Sequence, residues 1–436
     1  MIRRLLRTLL LLLVAVLLVI GFVARRIPQP AIEPGLTERP ADPAHGRYVA
    51  TLGDCAGCHS LPGGADYAGG RAFPTPLGRV IAGNITPDPE TGIGAYDFTD
   101  FVRLMRFGVA PGGKWITPAM PFTAYAKLSD ADLWDLFAFL RQDVAPLRQA
   151  TPSRGIFSLK LARAPLALWT RLFHRPTAFA ADPAHDRQWN RGAYLVQGPG
   201  HCGTCHTPRN EALAERDVDG SSTLFLSGTA FAGGAPINLR GNDGDGLGRW
   251  SAADIAQLLK TGRNAQSAVS GAMAEVVGAS TQYFSDDDLA AIAAYLKSLP
   301  PADDQGRGHF TPDGASLEHF LSGREDSPGG RIFMDSCAAC HRLAGSGAAA
   351  VFPGLAGNPS ILSRDPSSLI AVILVGTRLP STAAAPSPLA MPGFGWRYDD
   401  EEIAALASFI RNSWGNHASP VSAAQVAQSR RIWSRS

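Results

Sequence analysis

One cysteine motif occurs three times in this chain and accounts for all six of its cysteines. Each copy contains two cysteines separated by two residues, and a histidine directly follows the second cysteine. The residues are Cys55, Cys58 and His59; Cys202, Cys205 and His206; and Cys337, Cys340 and His341. The two thiols of such a motif can bond to the vinyl groups of a porphyrin, and the histidine then binds the iron as its proximal ligand. The pattern therefore predicts three covalently bound haems c.

Other uses of paired cysteines fit this chain poorly. A single C-x-x-C can be a redox or zinc motif, but three copies with their histidines and no cysteine left over favour haem attachment. A zinc site would also need more cysteine or histidine ligands than the neighbouring sequence offers. The sequence shows no Ser-His-Asp set, phosphate loop or dinucleotide motif. Haem iron is therefore the only redox chemistry that the sequence indicates.

The second axial ligand of each iron is predicted to be a methionine. A thioether opposite the histidine closes the iron to oxygen and raises its reduction potential. The chain has six methionines, and three of them lie after a motif in the loop before the next amphipathic helix: Met120, Met273 and Met391. Of these, Met273 lacks the proline that follows the other two. We expect Met105 and Met334 to be core residues.

Length and charge limit the class of protein. At ~150 residues per domain, 436 residues suggest about three domains, in agreement with the three motifs. The formal net charge of +2 provides no basic field to attract phosphate, which argues against nucleic acid as a partner. The 46 glycines and 33 prolines predict short helices joined by long loops.

The N-terminus predicts a membrane anchor over residues 1–26. A basic start is followed by an uninterrupted apolar stretch over residues 9–24. Phe22 stands where a signal peptidase would need a small residue, and Arg25 and Arg26 follow as at the end of a membrane helix. We therefore favour an uncleaved anchor over a cleaved leader. The basic end would stay in the cytoplasm, which places the body on the periplasmic side of a bacterial inner (cytoplasmic) membrane.

Three helices recur around each motif. An apolar helix precedes the motif, a middle helix follows it, and an amphipathic helix closes the unit. The middle helices are predicted to begin at a capping Asp97, Ser251 or Asp365 and to stop at Gly108, Gly262 or Gly376. The closing helices are predicted to begin at Ser129, Ser285 and Asp399.

These repeats predict the division of the chain. The predicted parts are the anchor (1–26), a first domain (42–145), a connector (146–184), a second domain (185–300), a linker (301–327), a third domain (328–416) and a tail (417–436). The connector is too apolar for a free linker, so we expect it to pack against its own domains; a docking surface for a partner or the membrane is the alternative. We expect the linker to be exposed and the tail to be loose.

Several segments resemble the three-haem cytochrome c subunits of bacterial membrane-bound dehydrogenases of the alcohol, aldehyde, gluconate or sorbitol type. The segments are N-I-T-P-D at 84–88, P-A-M-P at 118–121, G-H-C-G-T-C-H-T-P-R-N at 200–210 and M-A-E-V-V at 273–277. Together with the N-terminal anchor predicted above as one transmembrane helix, a departure from the cleaved leader usual in the alcohol and gluconate types, the resemblance implies an all-α fold of three tandem class I cytochrome c domains with long loops. It also implies a relay of electrons from a catalytic dehydrogenase subunit through three haems to ubiquinone.

The resemblance leaves the partner open. The catalytic subunit could use a molybdopterin, quinone or flavin cofactor, and the retained anchor favours an aldehyde-type, molybdopterin partner. The chain by itself is expected to have no catalytic residues for the organic substrate. One alternative is an open haem that handles peroxide, but all three motifs have a candidate methionine. The other is a membrane-tethered multihaem shuttle to a terminal oxidase or a soluble cytochrome.

Overall fold

The structure, a computed structural model, describes residues 26–75, 78–151, 163–230, 234–303 and 307–434, and a few single positions before residue 22. Most of the predicted anchor thus lies outside the described residues. In the part of the chain that is described, no helix has the length and apolar character needed to cross a bilayer.

The described chain is mostly helical and divides into two compact units. The first comprises residues 1–181 with 198–201 and contains the first motif, and the second comprises residues 182–197 and 202–436 and contains the other two motifs. The helices are accompanied by four short antiparallel ribbons in the described residues, which the all-α prediction did not include. Their strands are Ala72–Thr75 with Gly78–Ile81, Val109–Ala110 with Lys114–Trp115, His309–Phe310 with Asn416–His417, and Gly376–Arg378 with Ala390–Pro392.

The recurring helices form as the sequence predicts. The helices of the first unit are Pro43–Leu52, Cys55–His59, Phe98–Phe107, Phe122–Tyr125, Asp130–Gln142 and Arg163–Phe173, with short 3-10 turns at Leu36–Glu38 and Pro111–Gly113. Those around the second motif are Arg187–Gln197, Gly203–His206, Ala252–Thr261, Ala272–Ala279 and Asp286–Ser298, with a 3-10 turn at Thr281–Tyr283. Those around and after the third are Ala315–Leu321, Pro328–Ser336, Ala338–His341, Pro359–Leu362, Ser367–Val375, Asp400–Arg411 and Ala423–Trp433.

The predicted caps hold in all but one place. Ser129, Ser285 and Asp399 each accept a hydrogen bond from a backbone N–H in the first turn of a closing helix. The exception is the third middle helix, where Pro366 rather than Asp365 is the N-cap. Asp365 instead accepts from the N–H of Ser367 at 2.8 Å. Proline suits a helix start because its missing N–H would have no partner there.

Each motif is held by a close crossing between the helix before it and the closing helix. A Cβ on Gly46 would overlap the carbonyl of Asp135, and one on Gly192 would overlap that of Ala291. In the third copy the glycine at the crossing is Gly329, whose Cβ would overlap the carbonyl of Ala405. Because backbone meets backbone at these points, only glycine fits.

The helix of the connector, Arg163–Phe173, packs against the rest of the first unit. Ala167, in the Arg163–Phe173 helix, is fully buried with Val109 and Trp115. The ring of Trp169 lies edge-on to that of Phe122, with centroids 6.5 Å apart. This agrees with the favoured interpretation of packing against its own domain. The apolar stretch at 156–162 lies outside the described residues.

Two segments are more ordered than their composition suggested. In the linker, the Arg307 guanidinium pairs with the buried Asp245 carboxylate at 2.7 Å, and His309–Phe310 forms a ribbon with Asn416–His417. After the predicted start of the tail, residues Ala423–Trp433 form a helix that buries Val426. The expectation of a loose tail is therefore wrong, because Val421 and Val426 complete the core around Phe333. Most of the described linker residues are exposed, as expected, but these contacts hold the segment in place.

Candidate haem-binding sites

The three motif histidines share one hydrogen-bond geometry. Each ring Nδ1 lies at hydrogen-bond distance from a backbone carbonyl oxygen: His59 from Gly83 at 2.7 Å, His206 from Ile237 at 2.8 Å, and His341 from Pro353 at 3.0 Å. A carbonyl can only accept, so Nδ1 must carry the proton. The lone pair of each neutral ring is therefore on Nε2, which leaves that nitrogen as the metal ligand.

Burial keeps the three imidazoles neutral. It lowers the pKa of His59, His206 and His341, and the hydrogen bond from each ring to its carbonyl opposes this effect only in part. A neutral imidazole is the form that binds haem iron. The arrangement is thus ready to bind metal through Nε2 without first losing a proton.

The first cysteine of each motif is buried or half-buried: Cys337 is buried, and Cys55 and Cys202 are half-buried. Burial raises the pKa of Cys55, Cys202 and Cys337 to about 12. A catalytic or redox-active cysteine has a lowered pKa and a partly exposed, electropositive setting. These thiols lack that activation. Their environment fits attachment to an apolar group that occupies the same interior.

The backbone around each histidine is fixed by a second repeated contact. The histidine carbonyl accepts from the N–H of Gly69, Gly228 or Gly347, at 2.6, 2.8 and 3.0 Å. An arginine fixes the motif itself in two copies: Arg71 donates to the carbonyl of Gly57 at 2.6 Å, and Arg209 donates to that of Thr204 at 2.8 Å. Both carbonyls belong to the residue before the second cysteine.

A cation on each closing helix binds carbonyls of the segment before the middle helix, a feature that the sequence patterns did not predict. Arg141 donates to the carbonyl of Gly94 at 2.5 Å, Lys297 to that of Gly248 at 2.8 Å, and Arg411 to those of Ile361 at 2.5 Å and Ser363 at 3.0 Å. Burial lowers the pKa of Arg411 to about 10. A signal did exist, since each cation directly follows the last apolar residue of the helix: Leu140, Leu296 and Ile410.

The candidate methionine ligands have different surroundings. Met120 packs against the same core cluster of the first unit as Cys55 of its motif. Met391 is half-buried in the strand Ala390–Pro392, between two exposed residues, and pairs with Thr377. Met273 packs in a cluster with Leu379 and Leu389, and none of the motif residues belongs to that cluster.

Of the two methionines expected to be core residues, only one is buried. Met105 is buried in the core of the first unit, at 4% exposure, as expected. Met334 is 52% exposed, so the expectation of a core residue is wrong. It lies on the outer side of the Pro328–Ser336 helix, whereas Phe333 is fully buried and contacts the Trp414 ring.

The donor set fits haem c. Each copy offers two thiols for attachment and a neutral imidazole whose Nε2 is available, and the chain offers three half-buried thioethers. Haem iron between histidine and methionine supplies one-electron transfer at a raised potential. The residues of this chain position each imidazole and keep it neutral.

Comparisons with known proteins agree with this geometry. A cytochrome c family model matches residues 44–143 and 327–414. The chain is 44% identical to the gluconate 2-dehydrogenase cytochrome c subunit of Pantoea cypripedii, over 88% of this chain and 89% of the relative. It is 42% identical to the cytochrome c subunit of the alcohol dehydrogenase (quinone) of Gluconobacter oxydans, over 88% and 81%. It is 34% identical to the fructose dehydrogenase cytochrome subunit of Gluconobacter japonicus, over 95% and 87%.

Proposed function

Because the chain belongs to the family of cytochrome c subunits of membrane-bound dehydrogenase complexes, we propose that it carries three haems c and relays electrons from a catalytic subunit to ubiquinone. The observation that carries this proposal is the repeated pairing of a neutral motif histidine with a backbone carbonyl, in all three copies. A protein with a single redox site would need only one such motif. A series of haems is what electron transfer over a long distance requires.

The names of the relatives indicate the class of substrate. They act with gluconate, alcohol or fructose dehydrogenases, which supports an alcohol, a sugar or a sugar acid as the compound that the partner oxidises. The molybdopterin partner expected from the anchor stays a prediction beside the quinone and flavin types. Identification of the subunit that co-purifies with the chain would separate them.

The proposed location is the periplasmic side of the inner membrane. Its support is the basic start and the apolar stretch over residues 9–24, which together predict a membrane anchor with the body outside the cytoplasm. Covalent attachment of haem c in bacteria takes place in that compartment. An anchored relay would hold its haems near the quinone pool of the bilayer.

The number of haems is the first test. The purified chain should keep three haems after denaturation, because thioether bonds survive unfolding. A pyridine haemochrome assay on a known amount of denatured chain measures this number. A Cys205→Ser, His206→Ala double variant is the matched control and should keep two. If the unmodified chain keeps only two, one of the three motifs carries no haem and the three-haem relay is wrong.

Reconstitution tests the relay itself. The chain alone should not oxidise the substrate, since its only cofactors transfer single electrons. With the catalytic subunit present, substrate should reduce all three haems, and a ubiquinone analogue should reoxidise them. Absorbance of the reduced haems measures both steps. If quinone leaves the haems reduced while a soluble cytochrome or a terminal oxidase drains them, the shuttle alternative replaces the quinone-reducing relay.

A further inference from the structure

Two large apolar side chains stand exposed at the end of the Arg163–Phe173 helix. Leu172 is 66% exposed and Phe173 is 41% exposed. Ala167 and Thr170 of the same helix are buried against the first unit, and the ring of Phe173 packs on one side against that of Trp169, with centroids 5.8 Å apart. The helix therefore has apolar residues in two settings. One set is covered by the protein, and the pair at its C-terminal end is exposed.

This end of the helix lies next to the point where the N-terminal apolar stretch ends. The guanidinium of Arg171 donates a hydrogen bond to the backbone carbonyl of Arg26, and it also lies over the ring of Trp115, 5.1 Å from the centroid. Arg26 is the second residue after Ala24, the last apolar residue of that stretch. If the apolar stretch spans a bilayer, the chain would therefore emerge from the bilayer beside Leu172 and Phe173.

The chain that follows is fixed to the same unit. Arg103 donates to the carbonyl of Pro28 at 3.3 Å and to the side-chain oxygen of Gln29 at 3.2 Å. Between them and Arg26 lies Ile27, which is 40% exposed. The distance between the end of the apolar stretch and the exposed helix end is thus set by direct contacts and not by a free linker.

The charge around the exposed pair suits a lipid surface. Three exposed arginines surround the pair. Arg171 and Arg175 flank it in the sequence, and Arg26 is hydrogen-bonded to Arg171. Leucine and phenylalanine insert at the boundary between headgroups and acyl chains, while arginine pairs with anionic headgroups. We propose that Leu172, Phe173, Arg171, Arg175 and Ile27 form a membrane-docking face that seats the first unit on an anionic bilayer. This inference rests on the membrane anchor in the proposed function.

Continuity with the apolar stretch favours the bilayer over other occupants. A second copy of the chain or the catalytic subunit could also cover apolar side chains, but neither would need the face to lie beside the exit of an anchor. The face is also on the side of the first candidate ligand: Trp169 of the same helix contacts Phe122, two residues after Met120. Docking would thus hold the Met120 loop near the lipid.

A single added thiol can test the face in the full-length haem-loaded chain. All six native cysteines are proposed to be bonded to haem, so Leu172→Cys introduces the only reactive thiol. The matched control is Leu147→Cys, at a position that is 39% exposed. The carbonyl of Leu147 accepts from the side-chain amide of Asn84, next to the Gly83 carbonyl that binds His59, so this position is fixed beside the loop that holds His59.

The reaction rates of two maleimides then report what covers each thiol. In vesicles with about 30% anionic phosphatidylglycerol, a charged, water-soluble maleimide should modify Cys at position 172 roughly tenfold more slowly than at position 147. A lipid-soluble maleimide should modify position 172 at least as fast as position 147. Arg175→Gln in the Leu172→Cys background should raise the rate with the charged reagent, without changing the haem absorbance.

The outcomes separate the face from the anchor. Equal rates at both positions, in protein that floats with the vesicles, overturn the docking face and leave the anchor standing. Slow reaction of position 172 with both reagents indicates a second copy as the cover and overturns the face. Protection that appears only after the catalytic subunit is added assigns the surface to that subunit and also overturns it. Protein that does not float with the vesicles overturns both the anchor and the face.

Discussion

Replacing Met391 by histidine is expected to lower one of three haem reduction potentials by on the order of 0.1 V, within the roughly 0.8 V range that axial ligands set. A thioether stabilises ferrous iron, whereas a second imidazole favours ferric iron. Met120→His and Met273→His should each shift a different potential, and the other two should stay nearly unchanged. A spectroelectrochemical titration of the purified chain, fitted to three one-electron steps, measures the shifts.

The structure makes Met273 the most informative of the three. It packs with Leu379 and Leu389, which lie in the loops around the third methionine, so a purely packing role predicts no change in any potential on substitution. Met334→His is the matched control, because this methionine is 52% exposed on the helix before the third motif. If all three potentials are unchanged in Met273→His, Met273 is a packing residue and not an axial ligand. A shift in Met334→His would show that the titration reports general disturbance and not ligation.

Replacing Gly329 by alanine should destabilise the third repeat by roughly 3 kcal/mol or more, because the new methyl group overlaps backbone that cannot move away. A Cβ at this position would meet the carbonyl of Ala405 in the closing helix. The two helices would have to separate, and separation would open the core around the fully buried Phe333. Thermal unfolding of the haem-loaded chain, followed by haem absorbance and circular dichroism, measures the loss.

The neighbouring glycine provides the control. The three atoms nearest to a Cβ on Gly330 all belong to the side chain of Glu325, which can turn away if it gives up its hydrogen bonds from Ser327, and alanine offsets part of that loss because it favours the helix by about 1 kcal/mol over glycine. We therefore expect Gly330→Ala to cost clearly less stability than Gly329→Ala. Equal stability of the two variants would show that the crossing tolerates a side chain. A large loss in both would assign the effect to the helix start and not to the crossing.

Local chemistry let the sequence predict the motifs and most helix ends. Ser129, Ser285 and Asp399 cap their helices because a side-chain oxygen three residues before a free N–H needs no distant partner. Gly108 and Gly262 end their helices because glycine adopts the positive φ of a helix end without steric cost, which is also a local property. The thiols and histidines of the motifs are likewise defined by spacing along the chain.

The sequence patterns could not predict contacts between segments that are far apart in the chain. The carbonyls that bind the histidines lie 24, 31 and 12 residues further along the chain, at positions whose side chains take no part, so no residue type marks them. The choice of Gly329 over Gly330 depends on which of two adjacent glycines faces another helix.

The sequence by itself thus determined the cofactor type, the repeated helices and their caps, because these follow from residue type and short spacing. Only the tertiary structure decided which nitrogen of each histidine is left to bind iron, which glycine lies at the third crossing, and that residues Ala423–Trp433 complete a core. Each of these depends on backbone groups brought together from far apart in the chain. A backbone carbonyl is the same for every residue, and its position is set by the fold alone.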